Sequence, residues 1–470
     1  WRRVIEKLYT IGVPYIIFTG GEPTLHPALV ELVACAEQTG QITGVNTNGR
    51  RLADRGFSSA LAGAGLDHVQ VTLNSQRPEL HNAMVGAEGF EETVTGIRTA
   101  LECGLHTLTN TTLIADNVDE AARMVDFLHS LGLKTFAMNG MIYSGCGARH
   151  AAALDESTLG PVLEGVRDRA GELGMRFLWY TPTRYCRLSP VDLGLGVRTC
   201  NAAEYSICIE PNGDVLPCQS YYVPAGNLLA DDWSTIWESG LFRSFRHRRE
   251  QPAECGLPEQ CVGCAHLTTC GGGCPLERRR HTHASQRSTD GVRVALRPYK
   301  EAGSTMATDG PTQQGFGPPK PGDVLHYEQL VGEWPTRFHL RVDPDGGGML
   351  MANASEAAAL SPVGVLMAHG ILEGRGIEAI SADVRRAYSD VSHERIIADL
   401  SLVQQIIDDL AAPGDNYPIS NLGGTGETEW ERQLSAPLRA DMVQTDADTA
   451  REIMRRLWDV GVPHANILVD

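Results

Sequence analysis

The last 196 residues of this 470-residue chain contain no cysteine, although the first 274 contain all 12. No stretch of 18 or more apolar residues occurs, so nothing in it reads as a membrane-spanning helix. Basic residues are also short: 40 Lys and Arg against 58 Asp and Glu leave a net charge of −18. That balance excludes an electrostatic grip on nucleic acid or on an anionic membrane. An initial Met and a signal-peptide pattern are missing. The chain starts at Trp1 and stops at Asp470 straight after an apolar run, and both ends read as cuts through a longer protein. What is present, 42% hydrophobic and 21% charged residues, suits a soluble globular protein of roughly three units.

The cysteines are clustered, nine of them from Cys186 to Cys274. A disulfide scaffold needs a short secreted chain, so metal or cluster ligation in a reducing cytoplasm is the better reading. Residues 1–150 alternate helix and strand, with strands at 15–19, 43–46, 69–73, 107–113 and 135–142. Strands separated by helices of 10–15 residues predict βα units and a parallel sheet, functional groups lying at the strands' C-terminal ends. A further strand is expected ahead of Trp1. Two helices and an extended stretch at 177–180 follow, then a hairpin whose turn is Asn212-Gly213, then Cys-rich irregular chain to Cys274. Residues 281–335 read as a linker rich in Gly, Pro, Ser, Thr and Gln.

A compact unit is expected over 336–412: a hairpin with a Gly-rich turn at 343–348, then helices at 361–372, 377–388 and 392–410. Ser361-Pro362 is a plausible N-cap, and Gly374 and Gly376 separate the first two helices. Residues 413–434 form another linker. Leu8–Pro14 and Leu457–Pro463 match in type, each closing a basic amphipathic helix before an apolar run. That repeat makes 435–470 a possible start of a second barrel without cluster ligands.

Thr19-Gly20-Gly21-Glu22-Pro23 stands where a buried strand ends. Two glycines let backbone approach a ligand, and Glu22 offers an acceptor to a cationic group. By itself this is equally a tight turn with a solvent-facing Glu. At the tip of the second strand of a βα series, counting the one expected ahead of Trp1, it resembles the motif of radical S-adenosylmethionine (SAM) enzymes. The resemblance implies that Gly20, Gly21, Glu22 and Pro23 hold the amino group of SAM, with Asn46, Asn48, Thr72 and Asn74 as later lining positions. It also implies a partial (β/α)6 barrel over 1–150. The CxxxCxxC segment that binds the SAM-cleaving cluster would precede Trp1, and without it the polypeptide should not cleave SAM.

Cys200-x12-Gly213-x4-Cys218, followed by Cys261-x2-Cys264-x5-Cys270-x3-Cys274, resembles the SPASM extension, whose auxiliary 4Fe–4S clusters need thiolates from short loops and distant segments together. The alternative is zinc, which also takes C-x2-C pairs. The resemblance assigns Cys200, Cys218 and Cys274 to one cluster, with Cys186 as a possible fourth ligand, and Cys261, Cys264 and Cys270 to a second. The family's next cysteine is missing, so Cys255, Asp290 or His281 could substitute, or the second cluster keeps an open site. Cys35, Cys103, Cys146 and Cys208 read as buried thiols.

The 336–412 unit resembles the PqqD-like family through Phe338-His339-Leu340, Gly348-Met349-Leu350-Met351, Leu372-Glu373-Gly374 and Asp399-Leu400. This implies a small winged-helix-like α+β domain that binds a leader peptide as an added strand. Together the resemblances imply a cytoplasmic radical SAM maturase of a ribosomally made precursor peptide, using SAM, 4Fe–4S clusters and a reductant such as flavodoxin or ferredoxin. An enzyme acting on a small molecule or tetrapyrrole, and a non-catalytic peptide-binding partner protein, stay open as alternatives. No residue is assigned as a catalytic acid or base.

Overall fold

The computed structural model describes residues 1–282 except 151, residues 318–411 except 322, 332, 333, 344, 345, 353–355, 389 and 390, and residues 464–468. Six strands, β1 (Tyr15–Thr19), β2 (Ile42–Thr47), β3 (His68–Thr72), β4 (His106–Thr112), β5 (Thr135–Asn139) and β6 (Arg176–Trp179), pair in parallel in chain order. A helix precedes each, from Arg2–Thr10 ahead of β1 to Gly160–Glu172 ahead of β6.

Strand alternation explains why the sheet has two unlike faces. Ile16, Phe18, Val45, Val69, Val71, Phe136, Met138, Phe177 and Trp179 join the main core with Leu8, Leu32, Leu61, Ile97, Leu128 and Val166 of the helices. The opposite face holds a separate small cluster of Leu108, Ala137 and Leu178. It also carries polar side chains in register, Asn46 beside Gln70 and Thr72 beside Asn110.

β6 lies past residue 150, the expected end of the barrel. The extended stretch at 177–180 therefore belongs to the parallel sheet, because Phe136↔Phe177 and Met138↔Trp179 complete the same helix-facing row. The Cys-rich region is joined to the sheet as well. β7 (Ser206–Ile209) and β8 (Asp214–Leu216) form the antiparallel hairpin, and β9 (Gly226–Asn227) adds to its edge.

The second unit is a four-stranded antiparallel sheet of β10 (Val324–Val331), β11 (Trp334–Val342), β12 (Gly348–Ala352) and β13 (Glu356–Leu360). Helices Pro362–Leu372, Ile377–Ala387 and His393–Ala411 follow, close to the expected spans. Ser361 caps the first, its Oγ accepting from Gly364 N at 3.0 Å. Phe338, Leu340, Leu350, Met367, Val384, Ile396 and Val403 form its core. β10 corrects the reading of 281–335 as linker throughout, since 324–331 and 334–335 are sheet. Its His, Tyr, Glu and Gln residues hide the apolar alternation that pairing with β11 reveals.

This unit docks on the barrel through the other face of β11. Arg337, His339 and Arg341 alternate with the core residues. Arg337 donates to Gly65 O at 2.6 Å and to Glu37 Oε1 at 2.8 Å, and Arg341 to Gly12 O at 3.1 Å. His339 Nε2 lies 2.5 Å from Asp67 Oδ1, and Asp67 Oδ2 accepts from Thr43 N at 2.8 Å. Gly12, Gly65 and Asp67 belong to turns entering β1 and β3, so the contact is at the N-terminal ends of the strands. Burial alone would raise the Asp67 pKa; His339, Arg337 and the Thr43 N–H outweigh it and hold it at about 2. Burial raises the Glu37 carboxyl despite Arg337.

The fourteenth strand, β14 (His464–Leu468), lies between β1 and β7, parallel to both, with Thr19↔Leu468 and His464↔Ser206 in register. The segment expected to open a second barrel therefore contributes a strand to the first sheet. β1 and β7 each offer it a row of backbone donors and acceptors, and pairing satisfies both rows at once. The remainder of 435–470 is outside the described residues.

Candidate functional site

Gly20 follows the end of β1 with a φ of 150° that favours glycine, and a Cβ on Gly21 would meet no atom within 4 Å. Glu22 follows in extended conformation and caps the short turn Pro23–Leu25, with Pro23 buried at its first position. Its Oε1 accepts from Thr24 N (3.0 Å), Thr24 Oγ1 (2.7 Å) and Thr47 Oγ1 (2.6 Å), and its Oε2 from Asn48 N (2.7 Å). The carboxylate thus pegs the tip of β1 to the tip of β2. A carboxylate has about four lone-pair sites, so Oε2, with one donor, is the oxygen that still has room for an ammonium group.

Asn48 is held by the same loop, its Oδ1 accepting from Arg50 N and its carbonyl from Thr93 Oγ1. Asn46 and Thr72 lie on the polar face at the strands' C-terminal ends. Asn74 is placed differently. It is buried, with Oδ1 accepting from Thr112 N (3.1 Å) and its carbonyl from Asn117 Nδ2 (2.8 Å), and it locks β3 to β4. Thr47, which completes the Glu22 peg, was legible only as one more polar residue of the Asn-Thr-Asn-Gly loop.

Two groups of thiols form in the Cys-rich region. Burial pushes the Cys218 thiol up to about 12, and Cys200 and Cys274 add to it. Cys274 is raised to about 11 by burial and by Cys200. These three come together from positions up to 74 apart: Cys200 opens the turn into β7, Cys218 follows β8, and Cys274 N donates to Pro182 O. The hairpin between them turns at Gly213, φ 92°, whose N–H closes on Glu210 O at 2.8 Å.

In the second group, Cys261 is raised by burial and by Cys270, Cys186 and Cys264. Tyr185 N lies 3.4 Å from Cys270 Sγ, which draws the 183–186 turn to this group. Cys186, which the resemblance offered as a possible fourth ligand beside the first three, thus stands near Cys261 and Cys270. Cys186 and Cys264 are exposed. Cys255 packs on the small cluster of Leu257, Cys261 and Leu267. Cys208 is fully buried in β7, its thiol raised by burial and by Cys218. Cys35 and Cys103 are half-buried. The side chains of Cys146 and His281, and Asp290, lie outside the described residues.

The loop joining the groups is Gly271-Gly272-Gly273, with φ of 59°, 78° and 68°. Added Cβ atoms would come within 2.7 Å of Thr199 Oγ1, 2.8 Å of Leu257 Cδ2 and 2.8 Å of Arg184 Cγ, respectively. Left-handed backbone and close packing together restrict all three positions to glycine. Among the described residues, no three His, Cys, Asp or Glu side chains converge closely enough for a single metal ion. A cuboidal cluster does not ask that of them, because each thiolate takes a different iron and the sulfurs stay apart. Zinc would draw four sulfurs to about 2.3 Å from one centre.

A parallel βα sheet with a Gly-Gly-Glu-Pro turn, followed by a hairpin and two thiol groups, defines the class of iron–sulfur SAM enzymes. Residues 1–128 match the Radical SAM superfamily, and residues 200–265 match the SPASM iron–sulfur cluster-binding domain. A PqqA peptide cyclase of Streptomyces rochei is 30% identical over 324 residues, covering 66% of this chain and 85% of that protein. One from Ruegeria pomeroyi is 25% identical over 286 residues, covering 58% and 72%. The structure of Streptococcus suis SuiB bound to S-adenosylmethionine has the same fold, with a TM-score of 0.50 at 20% identity, over 59% of this chain and 65% of that one.

The chain belongs to the radical SAM superfamily, in the SPASM-containing family of the PqqA peptide cyclases, and is an enzyme of that class. The cofactors this implies are SAM and 4Fe–4S clusters. The thiol groups and the open Gly21 turn fit them. No helix among the described residues is long and apolar enough to cross a membrane.

Proposed function

We propose that this chain is the body of a radical SAM peptide maturase, acting on a ribosomally made precursor peptide. The observation that carries the redox half is the gathering of seven cysteines into two groups around the 271–273 loop, Cys200, Cys218 and Cys274 in one and Cys186, Cys261, Cys264 and Cys270 in the other. Bound there, auxiliary 4Fe–4S clusters supply electron transfer, and SAM supplies the radical that removes hydrogen from the substrate. Gly20, Gly21, Glu22 and Pro23 would seat the amino acid part of SAM, with Asn46, Asn48 and Thr72 lining the cradle and Asn74 bracing it.

The peptide half is supported by the relatives, which are named as peptide cyclases, and by the unit over 324–411. Its outer strands β10 and β13 each pair on one side only among the described residues, which suits addition of a peptide strand. Because this unit sits at the strands' N-terminal ends, a bound leader must pass along the barrel to bring its modified segment to Glu22. A flavodoxin- or ferredoxin-like protein in a reducing cytoplasm would deliver electrons.

Anaerobic reconstitution tests the reading. About eight irons per chain are expected, with Cys218→Ser and Cys264→Ser each removing about four. A colourless protein, or one that takes up zinc in place of iron, overturns it. Binding of a precursor peptide, lost when a proline replaces an edge residue such as Glu328, tests the peptide half.

A further inference from the structure

Charge is the least accounted-for property of the thiol site. Two clusters held by thiolates bring several negative charges into a region where Cys200, Cys261 and Cys270 are all buried. Charges taken out of water need opposite charges nearby. Arg248 is almost completely buried and donates to Cys200 O at 2.6 Å, Gly271 O at 3.0 Å and Glu204 Oε2 at 2.7 Å. Glu204 is also paired with Arg249, so this triad carries one net positive charge.

Arg278 completes the arrangement. Its Nη1 donates to Gly272 O at 2.8 Å and Gly273 O at 3.0 Å, while its own N–H reaches Cys274 O at 3.3 Å. Every carbonyl of the triple-glycine loop therefore receives a guanidinium N–H, from Arg248 at Gly271 and from Arg278 at the other two. Arg278 is half-buried and has no carboxylate partner among the described residues. The thiols within its electrostatic reach come from both groups, Cys200 and Cys274 of the first and Cys261 of the second.

We propose that Arg278, seconded by Arg248, is the positioning cation of the auxiliary redox site: it stands between the two thiol groups and sets the reduction potentials of the clusters they hold. This rests on the cluster reading above. A fixed positive charge favours the more negative, reduced state, and net charge and hydrogen bonding are what tune iron–sulfur potentials. The triad around Arg248 adds to the field and fixes the loop's shape.

The test is a redox titration, followed by electron paramagnetic resonance, of the anaerobically reconstituted chain and three variants: Arg278→Gln, Arg278→Lys and Arg243→Gln, the last at an exposed site. Iron and sulfide are counted first, so that a wild-type chain without clusters counts against the function reading and not against this one. With iron retained, Arg278→Gln should move the one-electron reduction equilibrium at least about tenfold toward the oxidised state, a shift of about 59 mV downward. Arg278→Lys should stay within about twofold of wild type, and Arg243→Gln should not move. Equal potentials in wild type and Arg278→Gln overturn the proposal. Should the Gln variant lose its iron, the Lys variant decides: retained iron and potential support the charge role, while a tenfold shift or lost iron makes Arg278 a clamp only.

Discussion

Replacing Asp67 and His339 singly and together measures what holds the 324–411 unit to the barrel. Asp67 is fully buried, accepts from His339 and Thr43 N, and lies 3.4 Å from Arg337. Its pKa of about 2 against an ordinary 3.8 corresponds to about 2 kcal/mol of favourable interaction with the ionised form. Asp67→Ala leaves Arg337 with less compensation in a buried setting, so the single change should cost about 3 kcal/mol or more. The coupling between the two positions should be about 2 kcal/mol.

Hydrogen exchange of the β11 amides, read by mass spectrometry, reports the opening free energy of this contact directly. Because the Asp67 pKa is depressed, its contribution is full above about pH 4 and is lost as the pH falls through about 2. A coupling below about 0.5 kcal/mol at pH 7 would refute the view that this pair latches the two units.

His326 gives a second pH effect of opposite origin. Burial and the neighbouring His339 lower its pKa to about 3, so the folded state keeps it neutral while the unfolded chain protonates near 6.5. Stability is therefore full above about pH 6.5 and falls as the pH drops towards 3, by about 2 kcal/mol between pH 7 and 5; the same exchange experiment on His326→Gln should show that loss removed. Glu22→Gln should weaken SAM binding at least about tenfold in equilibrium dialysis, because a charge-assisted hydrogen bond is worth about 1.5–3 kcal/mol, and an unchanged affinity would remove Glu22 from the site. Gly271→Ala forces a Cβ against Thr199 at φ 59° and should cost about four irons on reconstitution, whereas Gly263→Ala, at φ 75° with nothing within 4 Å, bears the backbone strain alone and should keep them.

The features legible in the sequence are those carried by short intervals. The turn at Gly20–Pro23 sits at a strand end because apolar periodicity and two adjacent glycines mark it locally. The Cys261–Cys274 spacing and the Asn212-Gly213 turn are likewise contained within a few residues. Partnership over long intervals was a different matter. Cys186 lies 75 residues before Cys261, and only the 183–186 turn packing against Cys270 shows which group it joins. Asn74 resembles a lining residue until its amide is seen spent on Thr112.

The sequence alone determined the class of chemistry and the order of the units, because those depend on residue type and spacing along the chain. Tertiary structure decided the rest: the pairing of β14 with β1, the docking of β11 on Asp67, and the seating of Arg248 on Gly271 and Cys200. Each of these joins segments tens to hundreds of residues apart, where no local period records the partner and only packing, burial and unsatisfied backbone groups select it.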